Sequence, residues 1–570
     1  MKYLPVILWF FLLTGTAFSF DVSSLIEGLA KDEVLSLGER MYRDGILPSG
    51  EPMEAVVMGD IPVDGRMFTC DDCHQRSGLG SEEGTVITWP TNGRELKKNR
   101  RRTGAWRPPD SDTAKQDARK NLPPYYRVED VRPAYTDESL AMALWTGVDP
   151  AGRKLDSIMP RYNLEDRDMA VLVHYLNNLS VDMAPGVDET TIRFATVVAD
   201  GVAEEDRQAM LSTLQAHIDT HNSQNRHQER RATSGPFFKT EMHQAYRRWQ
   251  LDVWELKGPE NTWQAQLQNF YQGQPVFALL GGITPGSWRV IHEFSERNRI
   301  PTIFPLTNFP VISETDWYTL YFSKGIYQEG ETAARYLHAA ENIAPEAKIV
   351  IVSREGLESN ALIRGFSESW RKYGRPEPEY LKLLPGAELT SEFWKETMKS
   401  SQPTVLILWL GGDDLTNIES IAGGRELPRQ IIFSSELLDY SLEAVPDLLR
   451  DNAYVTYPYS LAGENETRRL MVRRWLEVRK VPVTDLQVQS KMYFLGWMLT
   501  GAVKHIRSEF FREYFLEKFD MMTDQDYAIA VYPRLTFGPG QRYASKGCYV
   551  VQLTKGPGPE LVKRSDWVIH

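Results

Sequence analysis

Val276-Phe277-Ala278-Leu279-Leu280-Gly281-Gly282-Ile283-Thr284-Pro285-Gly286-Ser287-Trp288 starts as a short apolar run and breaks into a loop of glycine, proline and hydroxyl residues. The run reads as a strand, and the Gly-Gly and Pro-Gly pairs end it. The same texture spreads outward from it. Residues 192–198 and 251–256 precede it as apolar strands, and 302–306 and 319–322 follow. Helical stretches separate most of them, such as 203–220. Strands alternating with helices predict βαβ units and a parallel sheet. A second series runs through 348–352, 380–384, 405–410, 430–433 and 453–457. Two consecutive open α/β sheets of similar size predict two lobes with a cleft between them.

The chain has 570 residues, enough for about three or four domain-sized units. Hydrophobic residues make up 42% and charged ones 25%, as in an ordinary globular protein. A formal net charge of −12 argues against nucleic acid as the general partner. The first 19 residues read as a cleaved secretory signal: Lys2, an apolar run over 4–13, then Ala17-Phe18-Ser19 with small residues at the two positions a signal peptidase reads. A membrane anchor is the other reading, although the run is short against the roughly 20 residues of a span. Residues 184–190 carry Pro185-Gly186 and a polar stretch that reads as a linker, giving domains at 20–185 and 186–570.

The first domain is organised around Cys70-Asp71-Asp72-Cys73-His74. This is C-x-x-C-H, the attachment signature for haem c. Two thiols add across the haem vinyl groups, and the adjacent His74 becomes the proximal iron ligand. Half of a zinc site is a rival reading, but a closed site needs four ligands and no second cysteine pair exists. With Cys70 and Cys73 assigned to haem, Cys548 stands alone and reads as a buried, apolar-like residue. A helix over 32–44 precedes the motif, and a glycine- and proline-rich connection joins them. Downstream, a helix over 137–147 leads to Ile158-Met159-Pro160-Arg161-Tyr162. A last helix follows from Asn163, with Asp166 as a weak capping box, and its Met169, Leu172, Val173 and Leu176 are placed to pack on the first helix.

The order helix, C-x-x-C-H, Met-Pro loop, helix resembles the class I cytochromes c. That resemblance implies a small all-α domain, one covalent haem c, and iron held by His74 and Met159. It also implies single-electron transfer with a redox partner, either a periplasmic dehydrogenase or another cytochrome. Because bacterial haem c is attached outside the cytoplasm, it implies a periplasmic location. Between motif and Met loop, residues 84–130 form a basic insertion with Arg94, Lys97, Lys98, Arg100, Arg101, Arg102 and Arg107 beside Trp89 and Trp106. It reads either as a solvated loop or as a patch for an acidic partner or for haem propionates.

In the second domain, Gly281–Trp288 and Pro301-Thr302-Ile303-Phe304-Pro305-Leu306-Thr307-Asn308 are similar to the third and fourth βα loops of type I periplasmic binding proteins, the Leu/Ile/Val- and amide-binding receptors of ABC importers. The tail Phe537-Gly538-Pro539-Gly540-Gln541-Arg542-Tyr543, then Gly547-Cys548-Tyr549-Val550, is similar to the end of that family's chain. The resemblance implies two lobes that close by a hinge, with crossings near 322, 457 and 533. It implies a ligand carboxylate on Thr284, Ser287, Thr307 and Asn308 of lobe one, and a polar contact from Glu436 of lobe two with Tyr457 near the hinge. Asp413 and Asp414 lie at the same strand ends. Residues 199–205, Ala-Asp-Gly-Val-Ala-Glu-Glu, depart from the family's first loop, which puts its ligand chemistry in doubt. His217 and His221 stand at metal-ligand spacing, but an exposed polar face is the favoured reading. No G-x-S-x-G, P-loop or H-E-x-x-H motif occurs, so an electron carrier and ligand-binding protein is favoured over an enzyme, and the enzyme reading stays open.

The expectation is a periplasmic mono-haem cytochrome fused to a binding module for a small polar solute, such as an amino acid or amide. The rivals are an ABC-importer receptor under redox control, with a permease as partner, and an electron-accepting subunit of a dehydrogenase.

Overall fold

The computed structural model describes residues 20–83, 86–101, 131–227, 246–422, 427–522, 527–556 and 560–569. The expected signal peptide lies outside the described residues, as does most of the basic insertion with Arg102, Trp106 and Arg107. The chain divides into two compact units, Met1–Met183 and Ala184–His570.

The first unit contains helix α1 (Lys31–Asp44), strands β1 (Glu54–Val57) and β2 (Ile61–Asp64), and the short helix α2 (Cys70–His74). After these come helix α3 (Asp137–Thr146), strand β3 (Arg161–Tyr162) and helix α4 (Asp166–Asn178). Asp32 and Glu33 in the first turn of α1 suit the helix dipole, and Gly45 ends it at a φ of 64°. Helices α1 and α4 cross closely, because a Cβ on Gly38 would lie 2.4 Å from the Cβ of Tyr175. Met41, Leu140, Leu172, Val173 and Leu176 fill the core they share with α3.

The expected small all-α cytochrome c domain is not what this unit builds. β1 pairs antiparallel with both β2 and β3, with Ala55 opposite Val63 and opposite Tyr162. Two separate two-stranded ribbons also form, Glu82–Glu83 with Val86–Ile87 and Arg100–Arg101 with Val131–Arg132. The unit is mixed α/β, which corrects the class I cytochrome c resemblance. The cause is visible in the stretch that reads as a plain connection. Ala55 and Val57 alternate inward along β1, a period of two that only a pleated strand satisfies. β3 then draws in the Met-Pro loop's flank. It also displaces the expected capping box, because the Asn163 amide donates to Glu54 O at 2.9 Å and α4 starts at Asp166 with no side-chain cap.

The second unit begins with β4 (Thr191–Ala199), α5 (Glu204–Gln224), β5 (Arg248–Leu256), α6 (Trp263–Gly273), β6 (Ala278–Leu280), α7 (Arg289–Asn298), β7 (Thr302–Ile303) and β8 (Thr319–Leu320). These strands form one parallel sheet of order β8-β7-β6-β4-β5. The chain then builds α8 (Ile326–Ala339), β9 (Ile349–Arg354), α9 (Leu357–Lys372), β10 (Glu379–Leu383), α10 (Ser391–Ser401), β11 (Val405–Trp409), β12 (Gln430–Ser434) and β13 (Ala453–Tyr457). It continues with α11 (Glu466–Val478), α12 (Leu486–Ile506) and α13 (Arg512–Asp520), and ends in β14 (Gly547–Leu553), β15 (Leu561–Lys563) and β16 (Val568–Ile569). The second sheet runs β10-β9-β11-β12-β13-β14-β15, with β16 on β14, parallel as far as β13 and antiparallel beyond.

Both sheets are buried on two faces. In the second, Val350 and Val352 pack with Trp394 on one side, while Ile349 and Ile351 pack with Phe366 on the other. In the first, Phe194 and Leu280 meet Met492, Leu495 and Leu499 of α12, so the chain returns to lobe one after β13. The lobes are therefore joined three times, at residues 321–325, 457–460 and 545–547. The third passage lies later than position 533, because Ser545 N donates to Phe322 O at 2.6 Å and Tyr321 N to Arg542 O at 2.8 Å. That pairing lashes the first and third passages together.

Candidate functional site

The loops after β7 and β12 face each other across the cleft between the two lobes of the second unit. Lobe one contributes Thr307, Asn308, Lys491 and Tyr532, and lobe two contributes Glu329 and Glu436, with Tyr459 at the second passage. The space between them is about 470 Å³, its open mouth included. Gly325, just ahead of α8, lets that helix start close against the loop after β7: at a φ of 58° a Cβ there would sit 2.2 Å from Asn308 O.

Asn308 Nδ2 donates directly to Glu436 Oε1, a side-chain bond between the lobes. Tyr440 OH donates to the other oxygen of Glu436. Burial pushes the Glu436 carboxyl up, while the Tyr440 bond and the charge of Lys491 hold it back. Beneath it sits Glu329, 1% exposed in the first turn of α8. Glu329 Oε2 accepts from Ser435 N at 2.9 Å and Thr456 Oγ1 at 2.6 Å, and Oε1 accepts from Ser435 Oγ and Glu436 N, each at 3.3 Å. Desolvation outweighs these donors, and with Glu436 nearby it pushes the Glu329 carboxyl up to about 7.

Thr307, Asn308 and Glu436 thus come together at the cleft, but their neighbours do not. Thr284 is 8% exposed, and its hydroxyl donates to Gly286 O at 3.1 Å. Ser287 Oγ accepts from Arg289 N at 3.1 Å, ahead of α7. Neither lines the cleft, and Thr307 Oγ1 is itself engaged by Phe309 N at 3.0 Å. Tyr457 packs edge-on against Tyr440 and Tyr459 rather than lining the space. Asp414 forms an ion pair with Arg354, with Nε–Oδ2 at 3.0 Å. His217 stacks on Trp475 at 4.3 Å and His221 on Trp249 at 3.6 Å, so both rings serve packing; burial pushes them down to about 3 and about 4. Cys548 is fully buried.

Glu329, Lys491, Tyr459 and Tyr532 escape sequence reasoning for identifiable reasons. An acidic residue in a helix's first turn reads as a partner for the dipole. Lys491 lies near the start of a largely apolar helix that is far from the strand ends in sequence.

In the first unit, helix α2 holds the C-x-x-C-H motif. Thr69 caps it through a reciprocal box with Asp72, at 3.1 and 3.0 Å. Cys70 is half-buried with Sγ 3.6 Å from Tyr162 OH, Cys73 is exposed, and neither is in a disulfide. Burial pushes the Cys70 thiol up to about 11. His74 Nδ1 lies 2.8 Å from Trp89 O. A carbonyl only accepts, so Nδ1 carries the proton and Nε2 keeps a lone pair. Desolvation pushes this imidazole down to about 4, which keeps it neutral. Met159 is partly buried against the core of the same unit. Among the described residues, no group of three or more His, Cys, Asp or Glu is placed to hold a metal ion.

A family model described as "Periplasmic binding protein" matches residues 250–557, more than half of the chain. The chain belongs to the periplasmic binding protein family. Solved structures similar to it include a leucine binding protein LivK from Thermotoga maritima, at 14% identity over 66% of this chain and 98% of that one, TM-score 0.43. An ABC transporter substrate-binding protein from Sphaerobacter thermophilus matches at 12% identity over 66% and 98%, TM-score 0.47. A solute binding protein of an ABC transporter from Rhodopseudomonas palustris BisB5, in complex with 3,4-dihydroxybenzoic acid, matches at 12% identity over 66% and 97%, TM-score 0.44. No curated protein matches the chain. Membership in this family gives the second unit a solute-binding role of a non-catalytic kind.

Proposed function

We propose that this protein is the periplasmic receptor of an ABC importer and takes a small polar solute, such as an amino acid or amide, between its lobes. The observation that carries the reading is the Asn308–Glu436 bond, which puts polar side chains of the two lobes face to face at the ends of parallel strands. A solute that replaces this bond with contacts to both sides favours the closed state, because only closure makes both sets of contacts. Delivery to a permease is the family's use for such closure. The test is thermal unfolding of the full chain with a panel of amino acids and amides. A specific solute should raise the midpoint by mass action, and a solute found outside the cleft in a crystal would sink the reading.

A second reading rests on His74. We infer that Cys70 and Cys73 carry one covalently attached haem c, held in this mixed α/β unit rather than in a cytochrome fold of class I. The fit lies in the donor set: two thiols outside any disulfide and one helical turn apart, and an imidazole whose Nδ1 proton is committed to Trp89, which leaves the Nε2 lone pair to ligate. Met159 is the proposed sixth ligand. Arg100, whose guanidinium lies 4.4 Å over the Trp89 ring, supports the propionate role for the basic insertion. When bound, such a group supplies one-electron chemistry, which would give the receptor a redox partner and redox control. Export through a haem-attachment system should yield a protein heavier by one haem that stains for haem peroxidase after denaturation. Cys73→Ser should abolish the stain; mature protein with both thiols free would refute the attachment.

A further inference from the structure

We propose that Lys491 is the anion-binding residue of the cleft, and that the receptor therefore selects solutes with a single carboxylate. The inference rests on the cleft being the solute site. Lys491 projects from α12, whose Met492 and Leu495 anchor it in the lobe-one core. Among the described residues lining the cleft it is the one lysine or arginine. Its ammonium lies 5.2 Å from the Tyr459 ring centroid and 5.6 Å from that of Tyr532, within cation–π range of both. Among the described residues it makes no close salt bridge; the rings orient its charge, which acts at longer range on Glu436 and Asp206.

Most of the nearby hydroxyls are committed or lie elsewhere. The Thr284 hydroxyl donates to Gly286 O, Ser287 stands ahead of α7 outside the cleft, and Ser435 and Thr456 donate to Glu329. Thr307 Oγ1 accepts the Phe309 amide and keeps its O–H as a neutral donor. A solute carboxylate entering the cleft thus meets one cation, Lys491. The two carboxyl groups nearby set the valence. A second carboxylate on the solute would face Glu436 and Glu329 in a partly desolvated site, whereas a single carboxylate is matched by Lys491. The solute's far end then needs a donor, a hydroxyl, amide or ammonium, to take over the Glu436 acceptor that Asn308 occupies.

The experiment is isothermal titration of the full chain, as wild type, Lys491→Met and Lys491→Arg. The probes are the proteinogenic amino acids, lactate and 4-hydroxybenzoate, then the primary amide of each binder. The expected result is binding confined to carboxylates and weakened at least tenfold for the matching amide. Lys491→Met should weaken the carboxylate by a similar factor and leave the amide's weak affinity unchanged, which also reports that the variant is folded. Lys491→Arg should recover most of the loss. A Lys491→Met protein that binds its carboxylate with wild-type affinity overturns the proposal and leaves the solute-binding reading standing. Wild-type protein that binds no probe overturns both.

Discussion

Glu329 accepts four hydrogen bonds and is still pushed up to about 7, because the cost of burying a second carboxylate beside Glu436 exceeds what the donors return. A carboxyl raised on folding makes the native state bind more protons than the unfolded one. Its contribution to stability is present below the unfolded value near 4.5 and is lost as pH rises through about 7, at a cost on the order of 3 kcal/mol. Unfolding midpoints should therefore fall between pH 5 and pH 8, and Glu329→Gln should flatten that slope while lowering the midpoint at pH 5. An unchanged slope would assign the titration to another group. Glu436 acts at the same scale. Glu436→Ala should weaken solute binding by about 2–3 kcal/mol through loss of a buried charged partner, as read by calorimetry. Met159→Ala should lower the reduction potential of haem-loaded protein, since a thioether favours reduced iron; equal potentials would move the sixth ligand elsewhere.

Among the elements, helices α8 and α9 lie against each other through glycines. A Cβ on Gly330 would sit 2.2 Å from Leu362 O, and one on Gly365 would sit 2.2 Å from Tyr327 O. Both obstacles are backbone, so neither clash is relieved by a rotamer. Gly330→Ala should destabilise the protein by about 1–3 kcal/mol despite its better helix propensity, measurable as a lower denaturant midpoint. α8 also carries Glu329 into the cleft, so the same variant should weaken solute binding. In the first unit, β1 and β3 show how a short strand pair is missed. Four residues of alternation and a two-residue partner fall below what a sequence window resolves, and the pairing that makes them strands is between Ala55 and Tyr162, far apart in the chain.

At the scale of the whole second unit, three passages join the lobes, and two of them are hydrogen-bonded side by side through Tyr321, Arg542, Phe322 and Ser545. Tyr321 and Tyr543 stack at 5.7 Å across that junction. Paired passages restrict the lobes to a hinge rather than free rotation. The Asn308–Glu436 bond is then the direct polar latch on closure in the absence of solute. Asn308→Ala should shift the solute-free protein toward an open state, seen as a larger radius of gyration in solution scattering that contracts when solute is added. Identical scattering from both proteins would show that closure is held elsewhere.

Local pattern determined much of this protein. The apolar runs from Ile192 to Val455 specify buried parallel strands whatever surrounds them, and glycine and proline end them, so the two sheets follow from the chain's own periodicity. Cys70, Cys73 and His74 are likewise adjacent in sequence, and a single helical turn is enough to gather them. The cleft is different. Asn308, Glu329, Glu436, Lys491 and Tyr532 come from five separate stretches, and only the return of α12 to lobe one brings the lysine to the strand ends. Thr284 and Ser287 carry the right chemistry in the right loop, yet the Thr284 hydroxyl donates to Gly286 O and both stand outside the cleft lining. Which polar groups remain free to meet a solute is settled by where every other donor and acceptor goes, and that accounting exists only in the folded molecule.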